Sequence, residues 1–161
     1  MKVVNCFEHR PVISFEIFPP RAKASEKATN RFYASLDTLA SLEPAYISVT
    51  YGAGGSNDHA STLALCRYIK VHYGIDAVAH IPAVAFNAQS LKTYLADLKQ
   101  AHVENVLALR GDLPADGRPN NDFPFASDLV AAIKRESDLN ILGACSPDLH
   151  PEAENRLVDV Q

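Results

Sequence analysis

Short apolar runs rich in β-branched residues alternate along the chain with longer stretches whose apolar residues recur every three or four positions. The first pattern predicts buried β-strands and the second predicts amphipathic helices. The predicted strands cover residues 12–18, 45–51, 77–81, 105–110 and 140–145. Because the strands start roughly 30–35 residues apart, the size of a βα unit, we expect a parallel sheet.

Four helices are predicted between and after these strands. The first covers about residues 25–42, the second begins near the capping cluster at 56–58, the third follows Asn87 and the fourth follows Ser127. A fifth begins near Pro151. The residues predicted to face inward are Phe32, Leu36 and Leu39 in the first helix, Thr62, Leu65, Cys66 and Ile69 in the second, Leu91, Tyr94, Leu95 and Leu98 in the third, and Leu129, Val130 and Ile133 in the fourth.

Two architectures fit this order of elements, an open doubly wound sheet and a (β/α)8 barrel. A doubly wound sheet that binds a nucleotide carries a glycine-rich turn after its first strand, whereas here Pro19, Pro20 and Arg21 follow. Alternation along the strands also favours the barrel, because one face is mostly small or polar and the other apolar. The residues assigned to the polar face are Ser14, Glu16 and Phe18, Ser48 and Thr50, Val78 and His80, Ala108, Arg110 and Asp112, and Ala144 and Ser146. We therefore predict an α/β fold of the (β/α)8 TIM-barrel type, with a site at the C-terminal ends of the strands.

Composition narrows the class of protein. A length of 161 residues, 47% of them hydrophobic, predicts a single domain over residues 1–161 with its own core. The net charge of −4 and the scattered basic residues argue against nucleic acid or an anionic membrane as partner. Three dispersed cysteines indicate no disulfide framework and suit a cytoplasmic protein. No spacing of histidines or acids indicates a metal site.

Three features carry candidate chemistry. Glu16 lies in an apolar run, where we expect burial; it is either a general acid or a structural carboxylate paired with an arginine. The glycine-rich turn at 52–56 could bind an anion at a helix N-terminus, or serve only as a tight turn. At the end of the fourth strand, Arg110 and Asp112 flank Gly111, which would let a planar ligand approach the backbone. His80 and His150, each taken alone, are as compatible with structural roles.

Taken together, five segments resemble the bacterial type of the methylenetetrahydrofolate reductase family. They occur in the family's order and spacing and span most of the chain. The segments are Ser14-Phe15-Glu16-Ile17-Phe18-Pro19-Pro20-Arg21, Ser48-Val49-Thr50-Tyr51-Gly52-Ala53, Leu107-Ala108-Leu109-Arg110-Gly111-Asp112-Leu113-Pro114, Ala126-Ser127-Asp128-Leu129-Val130 and His150-Pro151-Glu152-Ala153.

The resemblance implies a barrel that holds FAD at its C-terminal rim and reduces 5,10-methylenetetrahydrofolate to 5-methyltetrahydrofolate, with NADH or NADPH as reductant. It makes Glu16 the general acid and places Asp112 near both flavin and the folate pterin, so that both are catalytic and substrate-binding residues. The positions that it matches to flavin contacts are Thr50, Tyr51, Ala53, His80, Arg110, Gly111, Asp112, Phe125, Ala126, Ser146, His150 and Ala153. A homo-oligomer is compatible with the family.

The chain departs from the family pattern at three positions. Phe125 and Ser146 stand where the family usually has tyrosine, and Pro82 stands where it has threonine. Length is a further departure, since a complete barrel takes about 250 residues and only about the first five βα units are expected here. The sequence therefore predicts the N-terminal part of a flavin-binding TIM barrel. The alternative is a truncated, non-catalytic fragment or a module that needs a partner chain.

Overall fold

A computed structural model describes residues 1–8, 11–21, 23–52, 59–112, 122–144 and 154–155 of the chain. Five strands form one parallel sheet: β1 (Ser14–Ile17), β2 (Tyr46–Val49), β3 (Asp76–Pro82), β4 (Asn105–Leu109) and β5 (Asn140–Gly143). β1 is shorter than the predicted strand at 12–18. Beyond its C-terminal end, Pro19 and Pro20 have no N–H groups with which to continue a ladder.

The strands lie side by side in sequence order, β1-β2-β3-β4-β5. A doubly wound sheet reverses its strand order near the middle, whereas a (β/α)8 barrel keeps adding each new strand to the same side. The order therefore excludes the doubly wound alternative. The prediction of an α/β fold with part of a TIM barrel is confirmed.

Four helices connect or follow the strands: α1 (Glu26–Ala40), α2 (His59–Tyr68), α3 (Ala88–Gln100) and α4 (Ala126–Glu136). The predicted cap of α3 is confirmed, since the Asn87 side chain accepts from Ser90 N–H at 2.8 Å and the Ser90 hydroxyl accepts from Asn87 N–H at 2.9 Å. α4 begins at Ala126, earlier than predicted, and the Asp128 carboxylate accepts from Phe125 N–H. The caps expected at 56–58 and the helix expected near Pro151 lie outside the described residues.

The main core lies between the helices and one face of the sheet. Strand register places Ile17, Val49, Ala79 and Val106 in one row on that face. These side chains share a buried cluster with residues of all four helices, among them Leu36, Leu65, Leu91 and Leu129. In the described part of the chain, no helix is long and apolar enough to cross a membrane.

The opposite face of the sheet is the concave face of the partial barrel. Its rows contain Glu16, Ser48, Val78 and Asn105 at one level, and Thr50 and His80 nearer the C-terminal ends. The assignment of Ala108 to this face is wrong. His80 is in register with Leu107, and Ile81 with Ala108, so Leu107 and Leu109 face the concave side while Ala108 is buried in the core with the helices.

At the N-terminal ends of the strands, the first residues of the chain pack against β4. A 3-10 helix, Val3–Phe7, brings the buried Val3 under the sheet. The Asn105 side chain, fully buried, accepts from Val3 N–H at 2.7 Å and donates to the carbonyl of Met1 at 3.0 Å. The first residues of the chain are therefore anchored to this end of the sheet.

Candidate active site

The C-terminal ends of three strands meet around one depression of about 340 Å3. β2 continues into Thr50 and Tyr51, β3 contributes His80, and β4 is followed by Gly111 and Asp112. The residues lining the depression are Thr50, Tyr51, His80, Pro82, Val84, Ala85, Leu109, Gly111 and Asp112. Because parallel strands end on the same side, residues far apart in sequence come together at this rim.

Thr50 is held in place by backbone contacts on two sides. Its N–H donates to the carbonyl of Ile17 at 3.0 Å, which extends the pairing of β1 and β2 by one residue. Its own carbonyl accepts from the buried hydroxyl of Thr62 on α2 at 3.0 Å. The Thr50 side chain is thereby presented to the depression from a rigid backbone.

Two buried polar atoms at this rim have no hydrogen-bond partner within the described residues, Thr50 Oγ1 and His80 Nε2. Leaving such groups unpaired costs about 1–3 kcal/mol each. A ligand that offers hydrogen-bonding atoms here would remove that cost. The walls around the two atoms include the apolar side chains of Pro82, Val84 and Leu109, so the surface suits a flat, partly apolar group with polar edges.

Glu16 joins this group from β1. Its Oε2 lies 3.5 Å from Nε2 of His80, at ion-pair distance but without a hydrogen bond. The Glu16 side chain is 50% exposed, whereas that of His80 is 7% exposed. Burial of Glu16 was therefore a wrong expectation; its partner is a histidine rather than an arginine. Desolvation lowers the pKa of His80 below its usual value, and the negative charge of Glu16 opposes that shift in part.

The structure gives a reason for the glycine at position 111 that was not predicted from the sequence. Its φ is +81°, and a Cβ built on it would lie 2.7 Å from Cγ2 of Val84 and 2.9 Å from Cβ of Pro82. Val84 N–H also donates to the carbonyl of Arg110 at 3.1 Å. The glycine therefore lets the turn after β3 pack directly on the end of β4. This packing also sets the position of the next residue, Asp112.

The remaining predicted residues divide into two groups. Among the described ones, Tyr51 packs against Phe86 with ring centroids 5.4 Å apart, and Arg110 is half-buried next to Gly111. Phe125 is 54% exposed at the start of α4, and neither it nor Ala126 lines the depression. Ala53, Ser146, His150 and Ala153 lie outside the described residues.

Sequence reasoning missed the apolar wall formed by Val84, Ala85 and Leu109. Leu109 could have been found from the register of β4, had Leu107 rather than Ala108 been placed beside His80. Val84 and Ala85 lie in a short 3-10 helix, Ala83–Ala85. No motif in the sequence indicates that this turn folds over the strand ends.

A larger depression, of about 680 Å3, lies at the opposite end of the strands. Its lining includes Lys92, Lys99 and His102 together with Glu104 and Glu136. These are mixed charges on exposed helices and loops, and none of the residues predicted for the site is among them. The smaller depression at the C-terminal rim is therefore the candidate active site.

Comparison with known proteins identifies relatives over nearly the whole chain. The sequence profile of the methylenetetrahydrofolate reductase family matches residues 2–161. The chain is 35% identical to 5,10-methylenetetrahydrofolate reductase of Pectobacterium carotovorum subsp. carotovorum, over 92% of this chain and 48% of that protein. It is 36% identical to the protein of the same name from Escherichia coli (strain K12), with the same coverage of 92% and 48%.

A plant relative is more distant. A probable methylenetetrahydrofolate reductase (NADH) from Oryza sativa subsp. japonica is 29% identical, over 95% of this chain and 27% of that protein. The chain thus spans about half the length of the bacterial relatives that it matches.

Proposed function

The chain belongs to the methylenetetrahydrofolate reductase family, and from this premise we propose that it acts in the reduction of 5,10-methylenetetrahydrofolate to 5-methyltetrahydrofolate. We propose FAD as the cofactor and NADH or NADPH as the reductant. The single observation that best supports the proposal is the convergence of Glu16, Thr50, His80 and Asp112 on one rim of the partial barrel.

The chemistry of this rim fits a flavin. An isoalloxazine ring is flat and largely apolar, with hydrogen-bonding atoms along one edge. The unpaired Thr50 Oγ1 would meet such an edge, and Pro82, Val84, Leu109 and the imidazole of His80 would contact the ring. When bound, the cofactor would supply hydride to the one-carbon unit of the folate. The contacts proposed for Ala53, Ser146, His150 and Ala153 rest on the family pattern alone.

Glu16 is proposed as the general acid. Its half-exposed carboxyl faces the concave side of the sheet, next to a histidine kept neutral by burial. Protonated Glu16 would give its proton to the folate nitrogen that leaves the one-carbon unit when the methylene-bridged ring opens. The opened substrate then accepts hydride, and Glu16 is left as a carboxylate that must regain a proton from solvent.

Asp112 is proposed to bind the pterin of the folate. It is exposed at the mouth of the depression, one residue after Gly111. A carboxylate there can accept hydrogen bonds from the amino and N–H groups of a pterin ring. Its charge would also act on the electronics of the neighbouring flavin.

Half-reactions of the Glu16→Gln variant test this proposal. The purified chain, supplied with FAD, is assayed separately for oxidation of NADH or NADPH and for reduction of methylenetetrahydrofolate. We expect Glu16→Gln to lower folate reduction by about 100-fold or more, while oxidation of the nicotinamide continues, because only the second half-reaction needs the acid.

Glu136→Gln, at the far end of α4, is the matched control and should leave both half-reactions unchanged. Equal loss of both half-reactions in Glu16→Gln would contradict the acid role. A parent chain that reduces no folate with FAD present would contradict the proposed function of this chain.

A further inference from the structure

The contact between Glu16 and His80 joins the first and third strands across the second. Register pairs Glu16 with Ser48 on β2 and Ser48 with Val78 on β3, so His80 lies one concave-side position further toward the C-terminal end. The Glu16 carboxylate therefore reaches diagonally over β2 to the imidazole. The hydroxyl of Ser48, which lies between them, donates instead to the carbonyl of Phe15 at 3.5 Å.

We propose that His80 is a positioning residue that holds the carboxylate of Glu16 over the depression through its Nε2 atom. The catalytic meaning of this contact rests on the proposed function, but the contact itself does not. Nε2 is buried and has no hydrogen-bond partner within the described residues, and its nearest acidic neighbour there is Glu16 at 3.5 Å. A buried donor without a partner is stabilised by turning toward the nearest carboxylate.

The two members of the pair differ in exposure. His80 extends from a central strand and its side chain is 7% exposed, whereas the Glu16 side chain is 50% exposed on the edge strand β1. The imidazole is therefore the fixed member and the carboxylate the one that is positioned. An exposed glutamate without such a partner would sample several rotamers.

The charge state of His80 favours this role. Burial lowers its pKa, so the ring is neutral at pH 7, and a neutral imidazole carries its proton on one nitrogen only. The carboxylate favours the tautomer with the proton on Nε2. Among the described residues, the other titratable groups that line the depression with this ring are Asp112, which follows β4, and Tyr51, which follows β2. Glu16 is the group whose charge acts on His80 most strongly.

NMR of the histidine rings tests the proposal without flavin, folate or turnover. The pKa and the tautomer of His80 are measured in the parent chain and in Glu16→Gln, which keeps the size of a half-exposed side chain. We expect the pKa of His80 to fall in Glu16→Gln, because the opposing charge is lost. We also expect the Nε2–H tautomer to dominate in the parent and to lose that dominance in the variant.

Asp112→Asn is the matched control, since it removes a carboxylate from the same depression. It should change the pKa of His80 less than Glu16→Gln does and leave the tautomer unchanged. An unchanged pKa and tautomer in Glu16→Gln would overturn the proposal, and so would a larger response to Asp112→Asn. If His80 responds as expected but the chain reduces no folate, the proposed function fails while the positioning contact stands.

Discussion

Gly111 shows how a single backbone position organises the rim. It combines a left-handed φ of +81° with two close neighbours, Val84 and Pro82, in the turn after β3. A side chain at this position would be strained by the positive φ and would also clash with Val84 and Pro82. The position next to it carries Asp112, so a disturbance at Gly111 reaches the proposed pterin contact directly.

Substitutions at three glycines separate the cost of a strained φ from the cost of steric overlap. Gly111→Ala should destabilise the chain by about 2–4 kcal/mol, because it adds overpacking to a strained φ. Gly74 has a φ of +70° and nothing within 4 Å of an added Cβ, so Gly74→Ala should cost about 1 kcal/mol. Urea unfolding followed by circular dichroism measures the free energy of unfolding of each variant.

Gly143 is the control for this series. It has neither a positive φ nor a neighbour within 4 Å of an added Cβ, so Gly143→Ala should change stability by less than about 0.5 kcal/mol. If Gly111→Ala were no more destabilising than Gly74→Ala, the close packing of Val84 and Pro82 on the glycine would be wrong.

The sequence predicted which residues belong to the site better than it predicted how buried their side chains are. Thr50, His80 and Asp112 could be selected because each ends a predicted strand with a polar group. The exposure of Glu16 could not be predicted from its neighbours in sequence, Phe15 and Ile17, because these apolar side chains point to the other face of β1. A side chain's burial depends on what covers its own face of the sheet, which local sequence does not state.

At the scale of elements, periodicity predicted the type and order of the five strands and of the four α-helices that the structure describes. Periodicity did not predict which residues of β4 face the concave side, because Leu107, Ala108 and Leu109 are all apolar and show no alternation with polar residues. The shared face was settled by register with β3, where His80 pairs with Leu107. Register is a long-range property, so one ambiguous strand can be assigned the wrong way even when its neighbours are right.

Asn105, on β4, connects the N-terminal segment of the chain to β5 at the N-terminal end of the sheet. In addition to its bonds to Val3 and Met1, its Oδ1 accepts from the Asn140 side chain of β5 at 3.2 Å. Asn105→Ala would leave the buried N–H of Val3 without its acceptor, and we expect a loss of about 2–3 kcal/mol in the free energy of unfolding. Equilibrium urea denaturation provides the measurement.

Asn140→Ala is the matched comparison for this network. Asn140 is only half-buried, and the described structure gives its side chain one bond, to Asn105. Its loss should cost less than about 1 kcal/mol. Equal destabilisation by the two variants would show that the 3-10 helix at Val3–Phe7 does not depend on Asn105.

At the scale of the whole fold, the described residues form a five-stranded part of a barrel with a polar rim at the C-terminal ends of its strands. The sequence was sufficient for this architecture and for the family, because the motifs lie in strand-end positions that a barrel brings together. It was not sufficient for the wall of the site, since Val84 and Ala85 reach the rim only through a turn whose path depends on Gly111.

We propose that this rim, rather than the larger depression at the other end, binds the flavin. Titration of the 15N-labelled chain with FAD, followed by backbone amide NMR, tests this most directly. We expect saturable shifts of the amide signals of Thr50, Tyr51, His80 and Gly111, with those of Val3, Glu104 and Asn105 unmoved. No saturable shift, or shifts confined to the opposite end, would contradict it.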